Sequence, residues 1–251
     1  MIVTVPLFSV VIPFRNAAST LPATLASLRR QTLEDWEALV VNDGSTDRGA
    51  ALVVDLARQD PRLRLIDEGG VAARGAAATR NLGIQASRGR YVAFLDADDL
   101  WRPTKLERQA EAFAAGAPMV FSSYQRMDGD GRALGVVPAA ARVAWEDALG
   151  GNPIGCLTAA YDTDRFGRAE MPLLPMHEDY AFWLALLRDG AVAWGLPEVL
   201  ADYRVRPGSV SANKVRGAAA VWRILGAEGV RPAERVLHFS RYVRTGLARR
   251  L

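Results

Sequence analysis

The chain has 251 residues, 50% of them apolar and 24% charged, the composition of a globular protein long enough for one sizeable core. No run of about 18 apolar residues occurs, so no segment reads as a bilayer-spanning helix, and the N-terminus lacks the basic-then-apolar order of a secretory signal. A single cysteine, Cys156, excludes an intrachain disulfide and agrees with a reducing, cytoplasmic compartment.

The net charge of +3 hides an asymmetry. From Lys214 to Leu251 nine Lys or Arg stand against Glu228 and Glu234, a surplus of +7, which leaves −4 for the remainder. A basic tail on an acidic body suggests an anionic partner, such as the inner face of a membrane. A solvated helix face in an arginine-rich protein is the plainer alternative. No nucleic-acid partner is expected.

The first half alternates short apolar strands with helices, as repeated β-α units do. Phe8 to Ile12 reads as the first strand. A helix follows from Ser19 or Thr20, with Leu21, Leu25 and Leu28 at helical spacing and a hydroxyl placed to cap it. Trp36 to Val41 is the second strand. The turn Asn42-Asp43-Gly44-Ser45 leads into a helix with Leu52, Val53 and Leu56 on its apolar face. Leu63 to Ile66 is the third strand, and an alanine-rich helix runs on from Gly69 and Gly70 towards Ser87. Tyr91 to Leu95 is wholly apolar and is predicted to be central and parallel. Pro103 to Ala115 reads as a helix with Leu106, Ala110 and Phe113 on one side, and Met119 to Ser123 as the fifth strand.

Beyond that the pattern changes. Asp128-Gly129-Asp130-Gly131 reads as a tight turn between extended segments. Glu178 to Arg188 is helical, Ala191 to Trp194 and Glu198 to Arg204 are extended, and helices follow from about Val215. The expected architecture is α/β: a Rossmann-like, mostly parallel central sheet flanked by helices, with a helical C-terminal extension. Residues 1–213 form the expected catalytic unit, with a nucleotide-binding half over 1–125 and an acceptor-binding half over 126–213. Residues 214–251 form the basic extension.

In open α/β sheets ligands sit at the carboxyl ends of the strands. Strand one ends in Pro13-Phe14-Arg15-Asn16, strand two in Asn42-Asp43-Gly44-Ser45, and strand four in Asp96-Ala97-Asp98-Asp99. In a parallel sheet these turns converge on one cleft. Three carboxylates within four residues repel one another, and a hard divalent cation with phosphate oxygens would neutralise them. Capping of the next helix by Asp98 or Asp99 is the competing explanation. An EF-hand is excluded because Trp101 stands where its loop needs glycine. Asn42 and Asp43 fit contacts to a base or ribose, or an ordinary Asx turn with Gly44 at positive φ. His177-Glu178-Asp179 opens a helix, where a carboxylate near the cleft could act as general base or simply favour the helix dipole. His177 reads as a helix-start bystander.

These residues resemble the family 2 inverting glycosyltransferases, which have the glycosyltransferase A-type fold. The resemblance runs from about Ser9 to Ser211 on four motifs in order: SVVIPFRNAASTLPATLASLRRQTLEDWEALVVNDGSTD, ATRNLGIQASRGRYVAFLDADDLW, HEDYAFWLALLRDG and YRVRPGSVS. It implies that Pro13, Phe14, Arg15 and Asn16, with Asn42 and Asp43, hold the base and ribose of a nucleoside-diphosphate sugar, a UDP-sugar foremost. Arg80 and Asn81 would flank the donor. Asp96, Ala97 and Asp98 would form the metal and ribose motif for Mn²⁺ or Mg²⁺, with Asp99 sharing it. Asp179 would be the catalytic base, with Glu178 beside it. Arg204 and Arg206 would lie near the diphosphate.

Two positions depart from the family pattern. Arg15 stands where an aromatic residue is common, though a guanidinium can also stack on a base. Arg206 stands where histidine is common, and an arginine cannot be a neutral metal ligand. The Gln-x-x-Arg-Trp motif of processive members does not occur, which favours single addition. The resemblance further implies a glycan or lipid-linked glycan acceptor. The rival readings are a sugar-phosphate nucleotidyltransferase, which would have a glycine-rich loop after strand one, and an inactive nucleotide-sugar-binding protein.

Overall fold

The structure is a computed structural model and describes residues 5–69, 72–205 and 214–248. Its first strands are β1 (Phe8–Phe14), β2 (Trp36–Asn42), β3 (Leu63–Ile66) and β4 (Tyr91–Phe94). They pair in parallel in the order β3-β2-β1-β4. Between them run α1 (Leu21–Arg29), α2 (Gly49–Ala57) and α3 (Ala76–Ala86). Thr20 occupies the N-cap position of α1 but makes no side-chain cap bond. Its hydroxyl donates instead to Ala17 O, 3.4 Å away.

The second half continues the same sheet. Its elements are β5 (Leu100–Trp101), α4 (Lys105–Ala114), β6 (Met119–Met127), β7 (Ala133–Val137) and β8 (Arg142–Val143). They are followed by α5 (Trp145–Ala148), β9 (Ala160–Asp162), α6 (Thr163–Phe166), α7 (Glu178–Leu187) and β10 (Ala193–Arg204). The whole sheet runs β3-β2-β1-β4-β9-β6-β10-β5, with β7 on β6 and β8 on β10. The division drawn after residue 125 falls inside β6. β4 is central as expected, but it is parallel only to β1. On its other side lies β9, antiparallel to both β4 and β6. An antiparallel neighbour needs no crossover helix, so a three-residue strand can enter there. β10 merges the two extended segments around Pro197, and the ladder slips register between Leu196 and Ala201 because proline offers no N–H.

Strand alternation divides the core into two layers. Val11, Leu39, Val41 and Phe94 face a cluster shared with Ile84 of α3 and Tyr180, Phe182, Trp183 and Leu187 of α7. Val10, Ile12, Val40 and Ala93 face the other, with Leu21, Leu25 and Leu28 of α1, Val53 of α2 and Leu106 of α4. The basic extension forms α8 (Lys214–Ala227) and α9 (Pro232–Ala248), and Val221, Ile224 and Leu225 of α8 join the first cluster. Gly83 lets α3 lie close on β1, since a Cβ there would stand 2.5 Å from Val11 Cγ1.

Glu37 staples the amino ends of these strands. It is 2% exposed. Its carboxylate accepts from Ser9 Oγ (2.8 Å), Arg64 Nη1 (2.9 Å), and the backbone N–H (2.7 Å) and Nε (2.9 Å) of Arg88. Burial alone would raise its pKa, but the bonds from Arg88, Ser9 and Arg64 outweigh burial and hold it below the ordinary range. The stability it contributes is therefore present above the ordinary carboxylate pKa and lost as pH falls through the lowered one. Glu37→Gln should cost about 1.5–3 kcal/mol, read as a lower denaturation midpoint at neutral pH. An unchanged midpoint would refute the staple.

Candidate active site

The loops after β1 and β2 are laced together. Asn16 takes a left-handed φ of 49°, and its Oδ1 accepts from Thr46 N–H at 2.8 Å while its own N–H donates to Ser45 Oγ at 3.0 Å. Asp43 N–H donates to Phe14 O (2.9 Å). Asn42 Oδ1 accepts from Ser45 N–H (3.0 Å), an Asx turn with Gly44 at φ 68°. The amide's Nδ2 reaches Asp67 (3.1 Å). Asp43 turns its carboxylate on the chain entering α3, accepting from the N–H groups of Arg74 (2.7 Å) and Gly75 (3.2 Å).

Pro13, Phe14, Arg15, Asp43, Arg80, Asp96, Ala97 and Asp98 line one cleft of about 480 Å³, joined by Ala17, Ala76 and Thr79. Asn42 lines the adjoining cleft of about 420 Å³, with Asp67, Glu68 and Arg74. Sequence reasoning missed Asp67, Glu68, Arg74 and Thr79. The signal for Asp67 and Glu68 was available, because they end β3 at the same rim.

Arg80 joins the two acidic motifs. Its side chain is 8% exposed, with Nη2 2.6 Å from Asp96 Oδ1 and Nη1 3.0 Å from Glu178 Oε1. The Asp96 turn after β4 and the first residue of α7 are thus held by one guanidinium. Asp179 follows Glu178. Its Oδ2 accepts from Asn152 Nδ2 at 2.9 Å, and its Oδ1 from Tyr180 N–H at 2.8 Å. Burial, then the neighbouring Glu178 charge, push its pKa up to about 6, against the pull of Arg80, Tyr180 N–H and Asn152. His177 sits at the N-cap position of α7 with a left-handed φ of 60°. Cys156, half-buried, stands in the field of Arg80, Asp96, Asp179 and Glu178, and burial pushes its thiol pKa well up. Neither Asn152 nor Cys156 lies in a motif that sequence reading could single out.

Three expected site residues are engaged differently. Asp99 is fully buried, and its Oδ1 accepts from Arg204 N–H at 2.7 Å. Burial, then the Asp96 and Asp98 charges, raise its pKa well above the ordinary range. Arg204 spends its guanidinium on the carbonyls of Asp98 (3.0 Å) and Gly129 (2.9 Å), so it braces the Asp turn from behind. Asn81 clamps Met171, donating to its carbonyl at 2.9 Å and accepting from its N–H at 2.7 Å. Arg206 lies outside the described residues. Among the described residues no group of three or more His, Cys, Asp or Glu forms a ready metal cage. The half-buried Asp96 and Asp98 do offer two hard oxygen donors on the cleft, a set that suits Mg²⁺ or Mn²⁺ once phosphate oxygens complete the shell.

The model of glycosyl transferase family 2 matches residues 9–141. This chain belongs to glycosyltransferase family 2. Within the family it is 36% identical over 221 residues to the putative teichuronic acid biosynthesis glycosyltransferase TuaG of Bacillus subtilis, covering 86% of each chain. It is 30% identical over 243 residues to WfgD of Escherichia coli, named as a UDP-Glc:alpha-D-GlcNAc-diphosphoundecaprenol beta-1,3-glucosyltransferase, covering 96% of this chain and 94% of that one. Among solved structures, S. aureus TarS 1–349 in complex with UDP-GlcNAc superposes with a TM-score of 0.72 at 19% identity, over 94% of this chain and 71% of that one. The mannosyltransferase PcManGT of Pyrobaculum calidifontis, in complex with GDP-Man and Mn²⁺, gives 0.70 at 19% identity, over 96% and 70%. The glycosyltransferase A-type α/β architecture expected for the family is therefore the one present.

Proposed function

We propose that this glycosyltransferase takes a sugar from a nucleoside-diphosphate donor, a UDP-sugar foremost, and passes it with inversion to a hydroxyl of a glycan or lipid-linked glycan. Each acceptor receives one sugar, in cell-surface polysaccharide or glycolipid synthesis on the cytoplasmic side of the membrane, where the protein sits peripherally. One observation carries the reading: Arg80 ties Asp96, on the donor cleft, to Glu178, beside Asp179. The donor end is supported by UDP-GlcNAc in the TarS complex and GDP-Man in the PcManGT complex. The acceptor end is supported by the diphosphoundecaprenol in WfgD's name.

Pro13, Phe14, Arg15 and Asp43 would hold the nucleoside against the ends of β1 and β2. Asp96 and Asp98 would hold the divalent cation that the Mn²⁺ in PcManGT suggests. Asp99 drops out of that ligand set because its carboxyl is buried on Arg204. When bound, the cation supplies positive charge against the departing diphosphate. Asp179 receives the proton of the acceptor hydroxyl on a carboxylate oxygen, held in place by Asn152. Attack by that hydroxyl opposite the diphosphate, in one displacement, inverts the anomeric centre.

A thermal-shift series with UDP, UDP-sugars and GDP-Man, each with and without Mn²⁺, tests the donor reading. Donor at about a hundred times its Kd stabilises by about 2.7 kcal/mol, a rise of about 5–10 °C for a chain of this size. Asp98→Ala should abolish the Mn²⁺-dependent part. An equal shift in that variant would remove Asp98 from the metal site.

A further inference from the structure

The helices of the basic extension pack onto α7. Val221, Ile224, Leu225 and Val230 enter the core cluster that holds Tyr180, Phe182 and Trp183. At the exit of α7, Arg188 Nη2 donates to Glu228 Oε1 at 2.8 Å, and Glu228 also accepts from Trp145 Nε1 at 3.1 Å. At the entry of α7, Gly217 of α8 lies over His177. A Cβ on it would stand 3.1 Å from His177 Nε2 and 3.8 Å from Met176 Cε. α8 therefore runs alongside α7 from entry to exit, and Glu178 and Asp179 follow directly on the first of these contacts.

α9 closes on the opposite wall, the loop after α5 that carries Gly150, Gly151 and Asn152. Gly151 takes φ 134°, and its N–H donates to Ala148 O at 3.0 Å. A Cβ on Gly151 would stand 3.4 Å from Tyr242 Cδ2, and one on Gly150 would stand 3.5 Å from Arg241 Cβ. The same Tyr242 reaches α8, with its hydroxyl oxygen 3.7 Å from where a Cβ on Gly217 would lie. One ring thus spans the Asn152 loop and the turn of α8 that covers His177. Within the loop, Asn152 Oδ1 accepts from the N–H of the buried Ile154 at 3.1 Å while Nδ2 donates to Asp179 at 2.9 Å. The amide is locked to its own backbone, so its reach to Asp179 is set by where the loop stands.

We infer that Tyr242 is a positioning residue for the catalytic base: its ring wedges the Asn152 loop towards α7 and so brings Asn152 Nδ2 onto Asp179 Oδ2. Tyr242 lines neither cleft, so it acts only through the loop. The extension then belongs to the catalytic unit and is no appendage to residues 1–213. The inference rests on the reading of Asp179 as the base and deepens it.

The test is the titration of the Asp179 carboxyl in the full chain, followed by its ¹³C resonance and assigned with Asp179→Asn. The charged and titratable groups facing it are Glu178 of α7, Arg80 of α3 and Cys156, and a change at Tyr242 alters none of them. The Asn152 bond favours the charged form. In Tyr242→Ala the carboxyl should therefore titrate about one pH unit higher than in wild type. Tyr242→Phe, which keeps the ring, should titrate as wild type does. Asn152→Ala should give the same rise, and N152A/Y242A no further rise, because both changes act through one bond. Turnover, read as UDP released from UDP-glucose with Mn²⁺, should fall about 10–100-fold in Tyr242→Ala, with the thermal shift given by UDP and Mn²⁺ unchanged. Should Tyr242→Ala fail to fold, Tyr242→Leu keeps apolar bulk on α9 without the ring edge and should show the same rise. An unmoved titration in either folded variant, or rises that add in the double variant, overturns the inference and leaves the ring as core packing alone. Full turnover in Asp179→Asn counts instead against the base reading, and wild type that releases no UDP counts against the donor reading. The titration decides the positioning role in both cases.

Discussion

Asp179→Asn is expected to lower turnover by about 10²–10⁴-fold while leaving the Mn²⁺-dependent donor shift in place, because the amide keeps the shape but cannot take a proton. The pH profile gives the same group a second signature. With its pKa pushed up to about 6, kcat should fall about tenfold for each pH unit below 6 as the carboxylate becomes protonated. The stability sign runs the other way. A carboxyl raised above its ordinary value binds its proton more tightly in the folded state, so stability is highest when both states are protonated and is lost as pH rises towards 6. Asp179→Asn should therefore melt no lower than wild type at pH 8. Full turnover in the variant, or a flat kcat between pH 5 and 7, would remove Asp179 from the mechanism.

Arg80→Met should be the most damaging single change to the site's architecture. It strands Asp96 and Glu178, whose side chains are 27% and 17% exposed, without the cation they share. Removing one partner of a buried ion pair costs about 3–5 kcal/mol, which corresponds to about 10 °C in melting temperature for a chain of this length. Arg80→Lys should recover only part of this, since one ammonium cannot span two carboxylates as a planar fork does. The double variant R80M/E178Q should melt higher than R80M, because one of the stranded charges is gone. A melting temperature within 2 °C of wild type for Arg80→Met would disprove the bridge.

The strands that end in the cleft were legible because apolar runs stop abruptly at polar turns, and Leu63 to Ile66 was placed at its observed bounds. The second half was less legible for identifiable reasons. β9 is three residues long, too short for any periodicity, and its pairing with β4 and β6 is decided by space in the sheet. In Asp96-Ala97-Asp98-Asp99 the acids look equivalent along the chain. What separates Asp99 is a backbone N–H contributed by Arg204, 105 positions away. Asn152 lies in an irregular glycine-containing loop, and only the fold brings it to Asp179. Asp67 and Glu68 are a different case: the strand-end rule applied to their neighbours reaches them too.

Glu37 ties β1, β2, β3 and the turn before β4 at the end of the sheet away from the cleft. Anchorage and chemistry are thereby separated along the strand axis. Residues on the cleft such as Arg15 can change without loosening the clasp beneath them, so the ligand end of the sheet is free to diverge on a scaffold whose cohesion is secured elsewhere.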